Sequence, residues 1–205
     1  MPEDAADRPS RPHHRPAPFR ASWFEDMEGG TDPALVSEAA DRAAQLLVRG
    51  ASGSGDAGVA ERLLHLADTE GIETIAEVWA GSPADSLAGC LWRLFVLRSW
   101  VHREPVRAAR EYDAGRSRVP VAEVVAGVAD PPGPDELRAM VDEVLRGIAH
   151  GDFADVLLRA AAFARVVATG RAVLAEPTHG EVRRMLALAE QLQASARLEL
   201  DGRLA

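Results

Sequence analysis

The chain contains no lysine and no asparagine, so all 23 of its basic residues are arginine. Both missing types use adenine-rich codons, and a GC-rich coding bias explains the two absences without any demand from function. The choice of arginine at a given position therefore says little about bidentate anion recognition. Cysteine is nearly absent as well: Cys90 stands alone, which excludes an internal disulfide. No apolar run approaches the roughly 18 residues that a membrane span needs. The N-terminus alternates Pro, Arg, His and acids without the apolar stretch of a signal peptide. Cytoplasmic localisation with no membrane partner is the expectation that follows. A net charge of -9 disfavours general nucleic-acid binding and leaves room for a local basic surface.

What is present is a series of helix-period apolar segments, most of them opened by a start signal and several closed by glycine, with no convincing strand. At 205 residues the chain is long enough to bury roughly 70% of its unfolded surface without a metal or disulfide staple. Thr31-Asp32-Pro33 offers an N-cap followed by proline, Gly50 a stop, and Val36, Ala39, Ala40, Ala43 and Leu47 a stripe to bury. A second segment runs from Asp56 to Gly71, and a third carries Ile72, Ile75, Ala76 and Trp79. Ser82-Pro83-Ala84-Asp85 has capping-box spacing and predicts the start of a central helix holding Leu87, Cys90, Leu91, Leu94, Phe95, Leu97, Trp100 and Val101.

Pro105 opens a segment through Tyr112, and Pro120 another through Val121, Val124, Val125 and Val128, whose valines would also suit a short strand. Asp130-Pro131-Pro132-Gly133-Pro134 is the clearest break. Beyond it, Leu137 to Ile148 end at Gly151. Asp152 caps a helix with Phe153, Val156, Leu157, Ala160, Ala164 and Val167 that ends at Gly170. Thr178 and Glu181 precede the last helix, with Val182, Met185, Leu186, Ala189, Leu192 and Ala196 on its stripe.

This pattern predicts an all-α protein, a helical bundle or irregular array of about seven to nine helices. Residues 1–30 read as a disordered tail, within which Trp23, Phe24 and Met27 could form one apolar face of a short motif at 21–27 that packs on its own domain or docks on a partner. Residues 31–205 read as a single domain with 130–134 as a lobe boundary. An offset of 101 residues superposes the 36–50 pattern on 137–151, as two similar lobes would, although any two amphipathic helices of equal length match about as well.

Leu91-Trp92-Arg93-Leu94 through Trp100, the Val125–Pro134 stretch and Gly151-Asp152-Phe153-Ala154 resemble a family of all-helical actinobacterial proteins. The resemblance spans most of residues 32–200. It implies a helical fold and a GC-rich source, and it transfers no activity and no site residue.

Several motifs dissolve on inspection. Gly53-Ser54-Gly55-Asp56-Ala57-Gly58 matches the dinucleotide-binding glycine pattern, but a helix precedes it where a strand is required, and Asp56 would face the phosphates. Glu61, His65 and Asp68 share a helix face without the facing Glu-x-x-His pairs of a bundle metal site. Cys90 lies on an apolar helix with no histidine partner in sequence, so it reads as structural. No Gly-x-Ser-x-Gly elbow occurs. No catalytic, cofactor-binding or metal-binding residue is expected, and no cofactor.

One segment departs from the acidic average. Residues 93–118 hold seven arginines against three acids, a local +4 that leaves -13 elsewhere, with Trp92, Trp100 and Tyr112 interleaved. Arg103, Arg107 and Arg110, if they share a face, would form a basic surface for phosphate or an acidic partner; otherwise they pair with acids of neighbouring helices. The expectation is a non-enzymatic protein-interaction or regulatory module, with a protein partner or a second copy of the chain engaged through Trp23, Phe24, Met27, Arg103, Arg107 and Arg110. A nucleic-acid-associated regulator using the same arginines comes second, and an enzyme whose site assembles from residues distant in sequence comes third.

Overall fold

The computed structural model describes residues 33–54, 79–119, 133–150, 152–174 and 179–205. Helix α1 is Pro33–Ser54, α2 Leu87–Arg103, α3 Pro105–Arg116, α4 Pro134–Arg146, α5 Phe153–Val173 and α6 His179–Leu200, with a 3-10 turn at Gly147–His150 after α4. Among the described residues there are thus six α-helices and no strand, fewer helices than the seven to nine expected. The expected segments at 56–71 and 120–128 lie outside the described residues, as do Trp23, Phe24 and Met27 and all but Trp79 of the segment at 72–79. All described elements belong to one compact unit, Pro33–Ala205.

The hub is α5. Fourteen of its 21 residues are buried, on every side of the helix, because Phe153, Val156, Leu157, Phe163, Val166 and Val167 alternate with alanines that let neighbours approach. It lies along α6 on one side and crosses α3 on another, while α1 packs on α2 and on the 3-10 turn. Asp152 caps α5 as its sequence implies, its carboxylate accepting from the Asp155 amide at 2.9 Å. Gly170, however, does not end this helix, which continues to Val173. A Cβ on Gly170 would run into the Glu111 carbonyl, and one on Gly115 into the Val166 carbonyl. The two glycines let the backbones of α3 and α5 touch, a tertiary requirement that mimics a stop signal in sequence.

Two further starts and stops move. Ser82-Pro83-Ala84-Asp85 forms a turn, and α2 begins four residues later than that box implies. The residue that caps it is Ser86, whose hydroxyl accepts from the Gly89 amide at 3.1 Å and donates to the Pro83 carbonyl at 3.0 Å. Gly50 sits inside α1 with open space around it, and the helix continues through Gly53 and Ser54. The buried line of α1 is Ala40, Ala44 and Val48, flanked by half-buried Ala43 and Leu47; Ala39 is exposed.

Leu87, Cys90, Leu91, Leu94, Phe95, Leu97 and Val101 of α2 are all buried. Phe95 stacks on Trp79 with ring centroids 6.1 Å apart, and the Trp79 indole donates to the Ala40 carbonyl at 3.1 Å, tying α1 to α2. After α6 the chain reverses at Gly202, whose φ of 67° favours glycine. Arg203 N donates to Leu198 O at 2.8 Å and Gly202 N to Glu199 O at 2.9 Å, the paired bonds of a Schellman stop. The reversal buries Leu204 and brings the Ala205 carbonyl 2.7 Å from the Leu87 amide, where it satisfies one open donor of α2.

Candidate interaction surface

The arginine-rich segment is divided by its own proline. Pro105 has no amide hydrogen to continue α2, so Glu104 closes α2 and opens α3. Arg103 is therefore the last residue of α2, while Arg107 and Arg110 lie on α3. Arg107 reaches Glu104 at 3.0 Å, Glu111 at 2.8 Å and, on α6, Glu181 at 3.1 Å. Its hydrogen bonds to Glu111 and Glu181 raise its pKa further. Arg103 and Arg110 are exposed, with Val106 between them 71% exposed.

Glu111 is buried and shared. Besides Arg107 it accepts from Arg171 Nε at 2.9 Å, with Arg171 Nη2 2.8 Å from the same oxygen. Both side chains of this second pair are only 6% exposed. The Arg171 guanidinium also lies 5.1 Å from the centroid of the Trp100 ring, and its Nη1 donates to the Glu181 carbonyl at 3.4 Å. One carboxylate thus holds arginines from α3 and α5 at the place where α3, α5 and α6 meet.

A second cluster joins α2 to α4. Buried Arg98 donates to Asp142 Oδ1 at 2.7 Å, and His102 Nε2 lies 3.0 Å from the same oxygen. Arg138 of α4 donates to the His102 carbonyl at 3.4 Å and to Asp135 at 3.0 Å. Arg93 binds Gln191 of α6 at 2.7 Å, Arg116 binds Asp113 at 3.0 Å, and Arg118 donates to the Ala114 carbonyl at 2.8 Å.

Of the seven arginines of this segment, Arg98 and Arg107 thus pair with acids of other helices and Arg116 with an acid of its own helix. The interleaved aromatics are engaged too: Tyr112 is buried and stacks on Phe163 at 5.5 Å, and Trp100 lies under Arg171.

The contrast lies on α6. Arg183, Arg184 and Arg197, with Arg203 just beyond the helix, are exposed and form no ion pair with another described residue; the same holds for Glu190 and Asp201. On α6, Arg183 and Glu190 lie away from the buried line Met185, Ala189, Leu192 and Ala196, with Arg184 on one flank and Arg197 on the other. Leu186 is 37% exposed and Leu200 68%. Sequence reading passed over this helix because its local charge is balanced. One signal was available: Arg183 and Arg184 sit near the N-terminus of a helix, where the macrodipole disfavours cations.

Elsewhere the chemistry is muted. Cys90 is buried, with its thiol 3.6 Å from the Ala84 carbonyl, and desolvation pushes its pKa up to about 11, so at neutral pH it is a protonated, unreactive thiol. Ser195 points its hydroxyl at the Ala84 and Gln191 carbonyls, at 2.8 and 2.9 Å, and holds the turn before α2 to α6. An apolar cleft among α2, α4 and α5, bordered by Leu94, Leu97, Met140, Val144 and Phe163, leaves about 10 Å³ for the centre of a water-sized sphere. That is a packing gap of about one water.

Among the described residues no group of three His, Cys, Asp or Glu side chains could hold a metal, and no helix is long and apolar enough to cross a membrane. Of Gly53-Ser54-Gly55-Asp56-Ala57-Gly58 only the first two residues are described, inside α1; Glu61, His65 and Asp68 lie outside the described residues.

Comparison with known proteins returns no matching family model, no curated relative and no solved structure. The likeness to helical actinobacterial proteins therefore rests on its short motifs alone.

Proposed function

We propose that the chain is a non-enzymatic helical interaction module that engages a protein partner through charged helix faces, chiefly the outer face of α6 with the exposed Arg103, Val106 and Arg110 beside it in role. The observation that carries this reading is the division of the arginines. Arg98, Arg107 and Arg171 stabilise packing between helices, whereas Arg183, Arg184 and Arg197 of α6 form no ion pair with another described residue. Exposed charges of α6 that form no ion pair among the described residues can steer and orient a binding partner.

A direct test compares two surface variants of the full chain, Arg183→Glu/Arg184→Glu on α6 and Arg103→Glu/Arg110→Glu beside α3. Each is used for affinity capture from the native host and titrated with labelled duplex and single-stranded nucleic acids at low salt. Loss of a specific captured protein with the α6 variant, with folding intact, supports the reading. Tight, salt-sensitive nucleic-acid binding lost in either variant would replace it with the nucleic-acid regulator, since counterion release makes such binding fall steeply with salt.

A further inference from the structure

The chain reversal that follows α6 is tied to two helices distant in sequence. Arg49 of α1 donates to both carboxylate oxygens of Glu199, through Nη2 at 2.7 Å and through Nη1, and its Nη2 also reaches the Leu204 carbonyl at 3.3 Å. The Glu199 side chain is 12% exposed, and its hydrogen bond raises the Arg49 pKa. A few residues on, Leu204 is buried and the Ala205 carbonyl accepts from the Leu87 amide at 2.7 Å. That amide lies in the first turn of α2, where backbone donors lack partners within their own helix. Residues 199–205 therefore join α1 to the start of α2, although Arg49 and Glu199 stand 150 residues apart in sequence.

The tie matters most for α1. Its buried line is Ala40, Ala44 and Val48, and the two alanines bury little apolar area. The central α5 buries fourteen residues, two phenylalanines among them. Among the described residues, α1 packs on α2 and on the 3-10 turn, and the Trp79 indole donates to its Ala40 carbonyl. Segments that bury less apolar surface open at lower free energy than the core, and they open as cooperative units.

We propose that residues 199–205 form a clasp, and that α1 and the clasp open together as one unit while α3, α5 and the body of α6 stay folded. The opening breaks the bonds of Arg49, returns the Leu87 amide to solvent and parts the Trp79 indole from the Ala40 carbonyl. Gly202 sets the closed geometry, since its φ of 67° turns the chain back and brings Leu204 to its buried position.

The test is hydrogen exchange of the full chain at low denaturant, comparing amides 44–50 of α1 with amides 160–167 of α5. In the parent, the α1 amides should exchange at least about tenfold faster than those of α5 and with a shallower dependence on denaturant, as a smaller opening requires. Leu204→Ala and Glu199→Gln lie far from α1 in sequence, so they act on its amides only through the clasp. The clasp is broken both when α1 opens and when the whole chain unfolds. Leu204→Ala should therefore speed both sets of amides by the same factor, about tenfold or more, and Glu199→Gln both by about threefold. Circular dichroism confirms that each variant folds.

A variant that speeds the α5 amides and leaves those of α1 unchanged overturns the inference, because α1 then opens with the clasp closed. Equal rates and equal denaturant dependence of the two sets in the parent also overturn it, since α1 then opens only with the whole molecule. So does indifference of both sets to both variants.

Discussion

Two sets of arginines in this molecule look interchangeable in composition and differ in what they do. Three arginines of α2, α3 and α5 reach acids on neighbouring helices: Arg107 reaches Glu181, Arg98 Asp142 and Arg171 Glu111. Those of α6 point to water. Local charge density is thus a poor guide to a binding surface in a helical array. The segment richest in arginine is packed among other helices, and its Arg98 and Arg107 meet acids 44 and 74 residues away in sequence, besides the acids within a turn of Arg107 and Arg116.

The sharpest way to break the comparison is to remove the acid that holds the inner set. Glu111→Ala would leave Arg171 buried without its counter-ion, so it should cost about 3–5 kcal/mol in denaturant unfolding. A loss under about 1 kcal/mol would mean that the inner arginines are not structural, since that is the scale of an exposed pair.

Next in size is Gly170→Ala. Its new methyl would drive the α5 backbone off the Glu111 carbonyl that carries the shared acid, for about 3 kcal/mol of destabilisation, although alanine is the better helix former. A melt raised by this change would show that α3 and α5 do not touch there.

The alkaline limb follows. Burial holds the Cys90 thiol protonated in the fold, its pKa pushed up from the ordinary 9.0 to about 11, so its contribution is fully present below pH 9 and is lost as pH rises through 11. That loss amounts to roughly 2–3 kcal/mol. Unfolding measured at pH 8 and pH 11 should differ by less in Cys90→Ala than in the parent by about that amount.

The smallest effects separate the two arginine sets directly. Arg107→Ala should cost about 1 kcal/mol, because the side chain is partly exposed but joins three acids. Arg183→Ala and Arg197→Ala should each stay within about 0.5 kcal/mol of the parent. Equal costs at all three positions would erase the distinction from which the functional reading is drawn.

Much of the fold was legible in local chemistry. Proline at 105 and 134 marks helix starts, Asp152 caps the helix it precedes, and the apolar residues of α2 and α5 lie on more than one side because both helices are central. These features depend on residues within a turn of one another, which a sequence displays directly.

Other assignments needed neighbours. Gly50 and Gly170 look alike as stop signals, yet both lie within helices, one in open space and the other against the α3 backbone. Ser86 caps α2 in place of Ser82, and the turn before it is tied to α6 through Ser195. The candidate surface belongs wholly to this second kind. Sequence alone determined that the protein is all-helical, acidic and rich in arginine. Only the packing of α3, α5 and α6 decided which arginines are neutralised inside and which remain outside, because a charge finds its counter-charge through space and not along the chain.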